Sequence, residues 1–202
     1  MNELLGIPIP VNCEHTHFRL FIEPLNAISN IAYIFAGIGI YQLLVKNKIQ
    51  KIEYKAIFVL SFLIGLGSFL WHSTREFYAL ILDAVPVVLS FAIITYIFLN
   101  KLIANKLFSL SIALLLIPTR FFLSSLVQAD FASSLIRNLI NAAVFLILIV
   151  WAFKKYEKVA LEGFVVLIIY LIAILMRSID LQICANFPLG THFLWHIFSA
   201  LA

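Results

Sequence analysis

Residues Phe77–Leu99 read FYALILDAVPVVLSFAIITYIFL, 23 positions that carry one acid, Asp83, and neither lysine nor arginine. At about 1.5 Å per helical residue this run is about 34 Å long, enough to cross the roughly 30 Å hydrocarbon core of a bilayer. Apolar runs bounded by charge or by Pro and Gly recur on both sides of it. Upstream they cover Pro24–Val45 and Lys55–Trp71; downstream they cover Lys106–Leu123, Ser133–Phe153, Leu161–Ile179 and Leu189 to the end. Together they predict an all-α integral membrane bundle of seven transmembrane helices. The last span is short: its 14 residues reach about 21 Å as a helix, so it either stops inside the bilayer or is trimmed.

Composition points the same way. Of the 202 residues, 63% are hydrophobic and 12% charged, too little charge to cover a soluble domain of this size. Seven spans with tight turns use nearly the whole chain. One domain over residues 1–202 is therefore expected, with residues 1–23 as an outer N-terminal segment. Met1–Arg19 lack a basic start, an apolar core and a small-residue cleavage site, so no signal peptide is read there, and the first span is expected to direct insertion. There is no internal repeat and no low-complexity tract.

All nine lysines (Lys46, Lys48, Lys51, Lys55, Lys101, Lys106, Lys154, Lys155, Lys158) fall at the three junctions between spans 1–2, 3–4 and 5–6. In an alternating bundle these share one side. The positive-inside rule makes that side cytoplasmic, with the N-terminus outside and the C-terminus cytoplasmic. The net charge of +4 is thus a topology signal and gives no support to nucleic-acid binding. Seven of the ten acids (Glu3, Glu14, Glu23, Glu76, Asp83, Asp130, Asp180) and all five histidines lie toward the opposite, outer end.

Ionisable groups within a span cost several kcal/mol unless they are paired or bind something. His72 lies 17 residues beyond Lys55, about 25 Å up the helix from the lysine end. His192 and His196 are spaced i, i+4, so both rings project from one helical face and could share a metal. Three nitrogens with an open fourth position is the pattern of catalytic zinc, whereas structural zinc is closed by four ligands. Ser68 lies one turn before His72 on the same face, and Asp83 lies at similar depth in span 3. Each has a plainer reading: a lone histidine can be a hydrogen-bonded packing residue, Ser68 a small residue for close helix contact, and Asp83 a partner for Arg75 or Arg177. Their joint depth on three spans favours the metal site.

At these residues the sequence resembles the alkaline ceramidase family, within the wider group of seven-span hydrolases that includes the adiponectin receptors. The matching stretches are Cys13-Glu14, Glu23-Pro24-Leu25-Asn26, Ser29-Asn30, Gly67-Ser68-Phe69-Leu70-Trp71-His72, Leu82-Asp83-Ala84-Val85-Pro86 and His192-Phe193-Leu194-Trp195-His196. The resemblance implies zinc on His72, His192 and His196, Asp83 as general base, and Ser68 as a hydrogen-bonding group for the attacking water or the developing oxyanion. It also implies a calcium site using Glu14 and Glu23, with further oxygens from Asn12 and Thr16. Val11 stands where an aspartate is expected, and two solvated acids are the plainer alternative. Topology puts Cys13 and Cys184 both outside, where a disulfide is permitted. The stretch Ile179-Asp180 to Cys184 is similar to the family segment that bears a bridging cysteine, which implies a bond between these two. Trp71 and Trp195, each beside an implied ligand, are candidate walls of a substrate pocket.

The leading expectation is an intramembrane zinc amidase that hydrolyses ceramide or a related N-acyl lipid to a fatty acid and a sphingoid base. The alternative is a receptor-like or metal-binding membrane protein without significant turnover. A proton or metal transporter is disfavoured because the inner halves of the spans carry no ionisable relay. Ile- and Lys-rich usage points to a minimal, bacterial version, multi-pass in the cell membrane with its site toward the outer face. Few bacteria make ceramide, so the lipid would then be host-derived or a different N-acyl lipid. Oligomeric state is open. On the structural side, Asn26 and Asn30 are expected to bond between helices, Arg120 and Arg137 to snorkel to the interface, and Arg177 to pair with Asp180. His15 and His17 are read as outer segment residues or a second metal patch.

Overall fold

The computed structural model describes residues 12–14, 21–126 and 130–202, except the side chains of 130–133. His15, His17, Thr16 and Val11 lie outside these residues. The described chain is all helix, with no strand. Among the described residues, six helical segments are long and apolar enough to cross a membrane: Pro24–Lys46, Ile52–Thr74, Phe77–Ile103, Lys106–Ser125, Ser134–Phe153 and Glu157–Gln182. Large apolar side chains such as Phe35, Leu107, Phe122 and Val165 are exposed along them. That is the signature of a multi-pass membrane protein, whose outer surface meets lipid rather than water.

The first segment is broken at Asn30 into α1 (Pro24–Ser29) and α2 (Ile31–Lys46). There follow α3 (Ile52–Thr74), α4 (Phe77–Ile103), α5 (Lys106–Ser125), α6 (Asp130–Phe153), α7 (Glu157–Ile179) and α8 (His192–Leu201). The expected seventh span, from Leu189 onward, is helical only from His192. The 10-residue α8 is about 15 Å long and does not by itself cross the hydrocarbon core. Residues Leu189–Thr191 are spent on the turn that aims it. Gly190 makes that turn with φ of 64°, and a side chain there would strike the Asp180 carboxylate and come within 2.6 Å of Cys13 Cβ.

Helix α3 begins at the lysine-bearing end and finishes with His72 at the other. It packs against α4, α2 and α1, while α8 packs against α7, α2 and α1. Gly67 sets the α3–α4 approach. A Cβ at that position would run into the Leu82 carbonyl and come within 2.8 Å of Asp83 N, so only glycine lets the two backbones touch. Asp83 is thereby held against α3, one to two turns below His72.

Candidate metal centre

His72, near the end of α3, and His192 and His196 on α8 converge into one buried group. Their ring centroids are 5.0 Å (72–192), 4.7 Å (72–196) and 4.7 Å (192–196) apart. One candidate nitrogen from each lies within 4.8 Å of the others. Nitrogens at about 2.0–2.1 Å from a tetrahedral ion sit roughly 3.3 Å apart. The group could therefore hold a metal ion, and its all-nitrogen donor set is compatible with zinc.

Two of the three rings, His72 and His196, are oriented by partners that leave a lone pair for an ion. His72 Nδ1 meets Glu23 Oε2 at 2.5 Å. An ionised carboxylate only accepts, so Nδ1 carries the proton and Nε2 is bare. His196 Nδ1 lies 2.8 Å from Ser29 Oγ, whose own hydrogen is used at 2.8 Å on Asn26 O. Ser29 must then accept from His196 Nδ1, which again leaves Nε2 bare. His192 is held through its backbone: its N–H donates to Asp180 Oδ1 at 2.9 Å, and its ring lies 3.4 Å from Arg177 Nη1. Carboxylate and hydroxyl partners on the far nitrogen are what metal-binding histidines ordinarily carry.

Glu23 is central to this shell. Backbone bonds from Ile22 N to Ser73 O (3.2 Å) and from Glu23 N to His72 O (3.0 Å) dock the N-terminal segment on the end of α3. The Glu23 carboxylate, almost fully buried, accepts from His72, from Asn12 Nδ2 at 2.8 Å and from Asn26 Nδ2 at 3.1 Å, and pairs with the Arg75 guanidinium. Burial, helped by the nearby Arg177 charge, lowers Arg75 to about 10, so it is cationic at neutral pH. Glu14 is buried as well. Its two oxygens accept Leu25 N and Asn26 N at 2.7 Å each, satisfying the first free amides of α1 after Pro24, which has none. Neither acid is solvated, which corrects the plainer alternative. Among the described residues they form no calcium cage: Glu14 caps a helix, and the partners of Glu23 are nitrogen donors. Calcium has no support here.

Asp180 does comparable work for α8. Its Oδ1 accepts Thr191 N (2.7 Å) and His192 N, and its Oδ2 accepts Cys13 N at 3.0 Å. It is therefore a helix cap, where a partner for Arg177 was expected. Cys13 and Cys184 are joined in a disulfide, which ties the N-terminal segment to the turn after α7. Ser68 is buried and faces the half-buried Asp83 across the Gly67 contact. The two tryptophans carry arginines: Arg75 lies 4.6 Å over the Trp71 ring and Arg177 5.5 Å over Trp195. Asn30 Nδ2 donates back to Asn26 O at 2.8 Å, so this pair does not bridge helices as expected. Arg120 does not snorkel. It is buried and donates to Asn141 Oδ1 at 3.2 Å.

Sequence reasoning missed Ser29, Glu23 and Asp180 as orienting groups. The only signal was their position in the motifs, since each acts on a residue far away in the chain. A model of the ceramidase family matches residues 12–202. No curated protein matches the chain.

Proposed function

Because this chain belongs to the ceramidase family, we propose that it is an intramembrane amide hydrolase cleaving ceramide or a related N-acyl lipid to a fatty acid and a sphingoid base. Its cofactor is zinc, held by His72, His192 and His196. The observation that carries this reading is the convergence of those three buried imidazoles, with nitrogens within 4.8 Å of one another. Zinc in such a site supplies a Lewis acid and lowers the pKa of a bound water to about 7.

The chain's own residues account for the remaining steps. Glu23 and Ser29 hold the His72 and His196 rings with Nε2 inward, so the site is arranged before metal or lipid arrives. Asp83, kept against α3 by Gly67, serves as general base for the attacking water and returns the proton to the leaving amine. Ser68 donates a hydrogen bond to the carbonyl oxygen as negative charge develops on it. Trp71 and Trp195 wall the apolar approach for the acyl chain.

The site lies at the end of the bundle opposite the lysines, so the positive-inside rule directs it to the outer face, with the N-terminus outside. On this reading α8 completes a seven-helix bundle. Carboxylate Asp83 is the residue to test. Purified Asp83→Asn should keep its zinc and lose hydrolysis of a fluorescent N-acyl sphingosine by about 10²–10⁴-fold, the range for a general base. A zinc-loaded wild type that releases no fatty acid from any acyl-amide lipid would overturn the enzyme reading in favour of a receptor-like metal protein.

A further inference from the structure

The acidic pair at which the resemblance implies calcium is built here for a different cation. Calcium takes about six to eight oxygen ligands. Among the described residues the neighbours of Glu23 are nitrogen donors: His72 Nδ1, Asn12 Nδ2, Asn26 Nδ2 and the guanidinium of Arg75. Both oxygens of Glu14 are occupied by backbone amides. A guanidinium already paired with Glu23 repels a divalent ion from the same carboxylate, so the donor set among the described residues does not fit calcium.

We propose that Arg75 is a tethered counter-cation that takes the electrostatic place of calcium at Glu23, which makes the metal centre independent of calcium and Arg75 a positioning residue for His72. The backbone is shaped for this role. Arg75 caps α3 in the left-handed region at φ of 55°, which non-glycine residues rarely adopt. Its N–H returns to Trp71 O at 2.8 Å and its guanidinium folds over the Trp71 ring. The turn thus brings the charge back over α3 to the carboxylate that bonds His72. One oxygen of the Glu23 carboxylate pairs with the Arg75 guanidinium while the other meets His72 Nδ1 at 2.5 Å. Arg75 thus anchors the group that orients the His72 ring.

The inference rests on His72 as a metal ligand, but its calcium arm does not. The intact chain, purified in detergent with zinc held constant, is compared in calcium-depleted buffer and in millimolar calcium. Thermal midpoint and bound calcium by equilibrium dialysis are read directly. Wild type should bind no calcium and keep its midpoint; one calcium per chain, or a midpoint that falls on depletion, overturns the proposal. Zinc affinity is then measured by chelator competition. Arg75→Gln should lose about 10–100-fold, the usual effect of removing support behind a ligand, and Arg75→Lys should recover much of that loss. Unchanged zinc affinity in Arg75→Gln also overturns it. Should Arg75→Gln fail to fold, the wild-type calcium measurements decide. If wild type takes up no zinc, the proposed zinc centre falls while the calcium result still stands.

Discussion

The corner where α1, α3 and α8 meet and the seam between α6 and α7 are both buried, yet they cohere by different means. The seam is mainly apolar: Ala142, Ile149 and Ala152 pack with Ala160, Leu167 and Ile174, with Tyr170 Oη donating to Asn138 Oδ1 at 3.4 Å beside them. The corner buries Glu14, Glu23, Asn26, Ser29, His72, Asp180, His192 and His196. Lipid tails are as apolar as leucine, so the seam gains only the closeness that its small residues allow. The corner's polar groups have no acceptable alternative partner in lipid, and each bond lost leaves a group stranded. The seam should therefore tolerate change that the corner does not.

The largest expected effect is in the corner. His196→Ala should lose bound zinc and hydrolysis together, measured as metal per chain and fatty acid released. Full zinc occupancy in that variant would contradict the ligand assignment. Next comes the rigid contact at the corner's base. Gly67→Ala sets a methyl against the Leu82–Asp83 backbone, which cannot rotate away, and should cost about 1–3 kcal/mol of stability, as overpacking does. Hydrolysis should fall with it as Asp83 moves, while zinc is retained. The smallest effect belongs to the seam. In Gly163→Ala the new methyl meets the Ile149 side chain, Cγ1 at 2.9 Å and Cδ1 at 3.3 Å, and a side chain can yield where backbone cannot. A midpoint change smaller than that of Gly67→Ala and unchanged zinc are expected, because the overpacking falls on a side chain. A loss matching that of Gly67→Ala would erase the distinction between the two regions.

Much of this was readable along the chain, and particular residues show where reading stopped. The run from Phe77 was recognisable as a span from its lack of charge, and the structure extends it to Ile103. The i, i+4 spacing put His192 and His196 on one face. Arg120 was misread because a charge near a helix end ordinarily reaches water, whereas Asn141, 21 residues on, holds it inside. Glu14 and Glu23 were legible as outer acids, but nothing in their spacing tells a helix cap from a metal ligand.

The amino-acid sequence by itself determined the helices, their membrane setting and the gathering of polar residues at one end. Each of these is a sum over neighbouring positions in one segment, and transfer into lipid is felt residue by residue. Only the tertiary structure decided which donor each buried acid meets. Glu23 finds His72 at a separation of 49 residues and Arg75 at 52, and Asp180 finds Cys13 at 167. No periodicity links such positions, and a hydrogen bond exists only where packing brings donor and acceptor within about 3 Å.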